Sequence, residues 1–168
     1  MSNTLVLGVG NIMHTDAGAG VYAMRYLKDH YDLPDTTYID AGTLSLALGE
    51  DIAAAQNLIV FDAVQMDAEP GTVRLFQDAE VDEFLKSARG SVHEVSLADL
   101  MDVARLDGNL PDRYALIGIQ PEKLDIGEAP SETVRRVMPR AAGNAASLIH
   151  KWRRPIPNPV RPQPNASP

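Results

Sequence analysis

Leu5-Val6-Leu7-Gly8-Val9-Gly10-Asn11-Ile12-Met13-His14-Thr15-Asp16-Ala17-Gly18-Ala19-Gly20 runs straight into a helical stretch from Val21 to His30. A Leu- and Val-rich run breaks into glycines, then polar and acidic residues, then glycine again, then a helix. This is a strand–loop–helix unit whose loop must bring backbone close to something. Glycines after a first strand occur throughout doubly wound α/β proteins, where the tight turn and the strand–helix packing require them. A dinucleotide fingerprint needs G-x-G-x-x-G opening directly into the helix. Here Gly8-Val9-Gly10 is followed by Asn11, Ile12 and Met13, and the next glycine is Gly18. No Gly-Lys-Ser/Thr follows either, so the phosphate-loop pattern fails as well. A loop carrying Asn11, His14, Thr15 and Asp16 suits a cation or a peptide better than a pyrophosphate.

Outward from this unit, strands alternate with helices. Thr4 to Val9 is predicted as the first strand and residues 18–31 as a helix with Val21, Met24 and Leu27 on one face. Thr36 to Asp40 is predicted as a second strand, with Thr43 capping a helix that runs to about Ala55. Asn57 to Val64 reads as the most buried strand, because Leu58, Ile59, Val60 and Phe61 are continuously apolar. Thr72 to Phe76 is expected as a short edge strand and Val81 to Ser87 as a short helix. Ser96-Leu97-Ala98-Asp99 reads as a capping box for the next helix. Tyr114 to Ile119 is another buried strand, and a final helix lies between Ser131 and Arg153, kinked or restarted at Pro139. The alternation predicts one α/β domain over 1–154, with a mostly parallel sheet covered by helices on both faces. Residues 155–168, rich in proline, are expected to form a disordered tail.

Composition narrows the function classes. The 168 residues are enough for a sizeable core, and the net charge of -8 argues against a nucleic-acid surface. No apolar run approaches the ~18 residues of a membrane span, and no signal segment is evident at the start. The chain has no cysteine, so disulfides, thiolate metal sites and a cysteine nucleophile are excluded together. The cytoplasm is the expected compartment. No G-x-S-x-G elbow is present, which removes the obvious serine-hydrolase reading.

In a parallel sheet the loops after the strand ends share one edge, and ligands gather there. Asp16, Asp40 and Asp62 all follow such ends. Asp62 is the most pointed of the three, since a carboxylate closing Leu-Ile-Val-Phe is costly to bury unless paired, hydrogen-bonded or metal-bound. A turn would account for Asp40 equally well. His30 and His150 lie on helices, where packing or solvation explains them. His14 sits in the glycine loop. His93 stands just before a helix N-terminus, whose positive end keeps an imidazole neutral and available as a ligand. A mixed imidazole and carboxylate set suits zinc, nickel or iron better than magnesium.

Five segments, taken in order, resemble the nickel-iron hydrogenase maturation proteases. They are Gly8-Val9-Gly10-Asn11-Ile12 through Thr15-Asp16 and Gly18; Asp40-Ala41-Gly42-Thr43; Leu58-Ile59-Val60-Phe61-Asp62-Ala63-Val64; His93; and Gly118-Ile119-Gln120-Pro121-Glu122. The resemblance covers roughly residues 4–150. It implies a twisted, mostly parallel sheet between helices, and an endopeptidase that removes a C-terminal extension from the hydrogenase large-subunit precursor once nickel has been inserted. The nickel would arrive with the substrate, and no permanently bound cofactor is expected. Carried over by position, Asp62 and His93 are metal ligands, and Asp40 is the catalytic residue, orienting the attacking water or binding substrate. A monomer acting on a larger protein partner, with no nucleic acid and no membrane involved, is the simplest expectation.

One position departs from the family pattern. The family loop usually reads Thr-Asp-Glu/Asp-Gly, with the second acid as ligand, whereas this chain has Thr15-Asp16-Ala17-Gly18. Three arrangements fit: Asp16 ligates after a small loop shift, His14 substitutes, or two protein ligands act with water. Asp16 is the one carried forward as the third metal ligand. A chain that binds its partner without cutting it is the alternative function.

Overall fold

The computed structural model describes residues 3–87 and 96–154. Among the described residues five strands form one sheet: β1 (Thr4–Val9), β2 (Thr36–Gly42), β3 (Asn57–Ala63), β4 (Val73–Gln77) and β5 (Arg113–Ile119). Their order is β2-β1-β3-β5-β4. β1 pairs in parallel with both β2 and β3, and β3 pairs in parallel with β5. β4 closes the far edge antiparallel to β5. The α/β architecture and the edge position of β4 are as the sequence predicts.

Among the described residues the α-helices are α1 (Ala19–His30), α2 (Leu48–Ala54), α3 (Ala79–Ser87), α4 (Leu97–Leu106), α5 (Glu132–Arg135) and α6 (Met138–Arg153), with a 3-10 turn at Thr15–Gly18. Strand alternation decides which helices cover which face. Val6, Ile59, Phe61 and Ile117 pack into one core with residues of α1, α5 and α6. Leu5, Leu7, Leu58, Val60 and Leu116 enter a second core with residues of α2, α3 and α4. Buried on both faces, β1, β3 and β5 need the continuous apolar runs that their sequences show. Among the described residues no helix is long and apolar enough to cross a membrane.

One local expectation is corrected. Thr43 is not a helix cap: β2 continues to Gly42, which pairs with Val9 across a bulge. The chain then spends residues 43–47 turning, and α2 starts only at Leu48 with no side-chain cap. Beyond Ser131 the helical run restarts at Pro139, one of the two arrangements expected. Pro139 stands in the first turn of α6, where its missing N–H costs nothing, so the run divides into α5 and α6. The capping box is present as read, with Asp99 bonded to the Ser96 backbone and Ser96 Oγ accepting from the Asp99 N–H. The expected tail, 155–168, lies outside the described residues.

All four parallel strands end at the same edge. The chain passes from β1 outward to β2 and then returns to β3 on the other side, so the strand order reverses between β1 and β3. A crevice at such a reversal is where open α/β sheets place ligands.

Candidate functional site

Two glycines let α1 sit tightly over this edge. A Cβ on Gly10, whose φ is +131°, would lie 1.8 Å from the Ala17 carbonyl oxygen. One on Gly20 would come within 2.3 Å of the Phe61 carbonyl oxygen and 2.4 Å of that of Val9. The glycine pattern of the opening stretch therefore serves backbone approach between the first loop, α1 and the ends of β1 and β3.

The loop itself is stitched to the segment after β5. Thr15 N–H donates to the Gly127 carbonyl at 2.9 Å, Gly127 N–H to the Met13 carbonyl at 2.9 Å, and Asp16 N–H to the Lys123 carbonyl at 3.1 Å. The Thr15 hydroxyl lies 2.7 Å from the Lys123 carbonyl and 3.1 Å from that of Asp125. From α1, the Tyr22 hydroxyl reaches the Glu128 carbonyl at 2.8 Å and the Ile12 carbonyl at 3.3 Å. Thr15 has a φ of 44°, an unfavourable value for a β-branched residue. The seam of hydrogen bonds on both sides holds it there.

Asp16, expected above as a metal ligand, lies at the centre of this seam with no solvent exposure. Its Oδ2 accepts from the Glu122 and Lys123 N–H groups, each at 2.9 Å, and from the Ser131 hydroxyl at 2.8 Å. Its Oδ1 accepts from the Ser131 N–H at 2.7 Å. Burial alone raises its pKa, but the donors from Lys123, Ser131 and Glu122 outweigh burial and hold it below the usual value. The carboxylate is committed to the chain's own backbone. Sequence reading assigned Ser131 only to a helix start; it caps α5 through Val134 N–H at 3.3 Å and grips Asp16 as well. No spacing rule signals a partnership across 115 residues.

Asp62 stands in the opposite condition. It is the penultimate residue of β3, paired in register with Gly118, and has no ion pair among the described residues. The side chain is partly exposed, yet its carboxyl group lies deep enough that burial pushes its pKa up to about 8. A single backbone hydrogen bond, to Ala63, pulls the other way. The segment beyond it is fixed by buried Gln120, whose side-chain oxygen accepts from the Met66 N–H at 2.8 Å and whose amide bonds to Gln65.

Asp40 is in register with Gly8, two strand spacings or about 10 Å from β3. One oxygen accepts from the Gly42 N–H at 3.1 Å and the other lies 3.3 Å from Arg25 on α1. Alternation turns Asp62 toward the face of Val60, whereas Asp40 reaches the α1 face. The two carboxyl groups leave the sheet on opposite sides. His14 is partly buried in the seam, bridged to Gly127. His93 lies outside the described residues. Among the described residues, no three His, Asp or Glu side chains are grouped closely enough to hold a metal ion. His30 stacks on Tyr26 with ring centroids 3.8 Å apart, a packing role as expected.

Comparison with known proteins supplies the rest. The family model described as hydrogenase maturation protease matches residues 21–148. The hydrogenase expression/formation protein HupD of Rhizobium leguminosarum bv. viciae is 37% identical over 150 residues, covering 88% of this chain and 74% of that one. The hydrogenase 2 maturation protease of Escherichia coli is 39% identical over 131 residues, covering 76% and 79% respectively. Among solved structures, the hydrogenase maturating endopeptidase HybD from Escherichia coli superposes with a TM-score of 0.83 at 34% identity, covering 89% of this chain and 93% of that one.

Proposed function

This chain belongs to the hydrogenase maturation proteases, and from that premise we propose that it cuts the C-terminal extension from a nickel-iron hydrogenase large-subunit precursor after nickel insertion. The nickel held by the precursor is the recognition element. Asp62 and His93 supply an oxygen and a nitrogen to it, a donor pair suited to a borderline cation. The ion then polarises the scissile carbonyl or acidifies a water. Asp40, turned to the other face of the edge, holds substrate. Asp16 is left out of this ligand set, because four donors already occupy its carboxylate. The protein works in the cytoplasm as a monomer.

The observation that carries the reading is Asp62: a carboxyl group at the strand-order reversal that, among the described residues, has one backbone hydrogen bond and no counter-ion. A structural aspartate would be satisfied by its surroundings, as Asp16 is. The test is mass spectrometry of the precursor, with and without nickel, after incubation with the wild type, Asp62→Ala and His93→Ala. Nickel-dependent loss of a C-terminal peptide by the wild type alone is expected. Unchanged cleavage by both variants would sink the assignment.

Ala17 favours a second reading, in which the chain shields the immature subunit without cutting it. An intact precursor that co-purifies with the wild type, together with cleavage gained by Ala17→Glu, would establish that reading instead.

A further inference from the structure

Four of the exposed large apolar side chains stand at the sheet edge that carries Asp62: Met13, Leu46, Leu124 and Ile126. Three of these belong to the stitched loops, and their exposure is 50% for Met13, 55% for Leu124 and 83% for Ile126. The Gly127 N–H donates to the Met13 carbonyl and His14 bridges Gly127, so Met13 and Ile126 lie side by side on a common ridge. The clamp beneath them is the Asp16 cluster. The ridge is therefore ordered before anything binds, so little conformational entropy is lost on docking. Exposed carboxylates of Glu122, Asp125 and Glu128 flank it. Among the described residues none of the three forms an ion pair, and Lys123 is the one cation in the segment from Glu122 to Glu128.

We propose that this ridge is the docking lip for the C-terminal segment of the precursor, taken as an extended peptide that sets apolar side chains against Met13, Leu124 and Ile126 and lysine or arginine against the flanking carboxylates. The proposal rests on the protease reading above. Two features select this occupant. The lip shares its edge with Asp62, so a peptide crossing the ends of β5, β3 and β1 passes both. The rim, with three carboxylates against the one ammonium of Lys123, also matches a basic, apolar segment and repels an acidic one. A second copy of this chain, with net charge -8, would bring acid against acid.

Ile126 and Met13 are largely solvent-exposed, so replacing them leaves the fold intact. Steady-state cleavage of nickel-loaded precursor is compared for wild type, Met13→Ser/Ile126→Ser and Asp125→Lys/Glu128→Lys. The expected result is a KM raised about tenfold or more in each double variant, with kcat and melting temperature unmoved. Unchanged KM in both overturns the lip, as does a change in sedimentation of the Met13→Ser/Ile126→Ser protein without a change in KM. Retention of uncut precursor on immobilised protein separates this outcome from failure of the protease reading. If the wild type cuts nothing yet retains precursor, and the double variants lose it, the protease reading falls and the lip stands. A wild type that neither cuts nor retains precursor overturns both.

Discussion

Asp16 and Asp62 are the same residue type, one in the loop that follows β1 and the other at the carboxyl end of β3, yet their surroundings make opposite demands on them. Asp16 receives three backbone N–H groups and a hydroxyl, and its acidity is strengthened despite full burial. Among the described residues Asp62 has one backbone hydrogen bond to set against its burial, and its pKa is pushed up to about 8. In the proposed function, neither burial nor position on the edge separates the clamp from the chemical group. The supply of donors does. A carboxylate saturated by the fold stabilises it, and one left short is available to a cation or a substrate.

The largest expected effect comes from removing the saturated partner. Asp16→Ala strands its backbone donors in a dry seam and releases the strained Thr15, so unfolding by denaturant should show a loss of about 3 kcal/mol or more. A loss within experimental scatter would break the comparison, since Asp16 would then be no clamp. Removing the unsatisfied partner should act elsewhere. Asp62→Ala is expected to lower precursor cleavage by more than about a hundredfold, beyond the usual effect of residues that only support a ligand. Its stability should equal or exceed that of the wild type. If Asp62→Ala unfolds the protein and Asp16→Ala leaves it stable, the two roles have been assigned the wrong way round.

The sequence made the fold legible because the decisive signals were local. Continuous apolar runs in β1, β3 and β5 announced buried parallel strands, and Ser96 with Asp99 announced the start of α4. Thr43 misled because a bulge extended β2 by a pairing that no local pattern encodes. The place of Asp62 at the carboxyl end of β3 was legible from a carboxylate closing an apolar strand. Asp16 was not, because its partners Glu122, Lys123 and Ser131 lie more than a hundred positions away in the chain. Whether a polar residue is satisfied is a tertiary fact. Exposed Ile126 and Met13 were likewise unreadable, since apolar residues in a sequence suggest core until the fold leaves them outside.

A smaller effect sharpens the contrast through pH. Asp62 carries a folded-state pKa raised from 3.8 to about 8, so in that interval the folded protein holds a proton that the unfolded chain has released. Stability contributed by this group is complete below the unfolded value and drains away as pH rises toward the folded one, by at most about 1.4 kcal/mol per pH unit. Asp16, with a lowered pKa, has the reverse sign: its contribution is present at neutral pH and is lost only in acid. Asp62→Asn mimics the protonated acid and should remove the downward slope above pH 4 without touching the acid limb. Melting curves of both proteins from pH 3 to 9 would read this directly, and a retained slope would assign it to other groups.

The smallest effect concerns Asp40, which falls between the two extremes. Its partner Arg25 lies 3.3 Å away, but both side chains are nearly half exposed. Such a pair is worth less than about 1 kcal/mol, so Arg25→Ala should scarcely move the melting temperature. Asp40→Asn keeps the side-chain oxygen that accepts from the Gly42 N–H and removes only the charge. If Asp40 were a weak clamp, the two variants would behave alike and cleavage would persist in both. If its carboxylate holds substrate, Asp40→Asn raises KM for the precursor while Arg25→Ala, with the carboxylate intact and now unpaired, does not. The pair of substitutions thus separates a charge used by the fold from one used by the substrate, at a residue where stability measurements alone would register almost nothing.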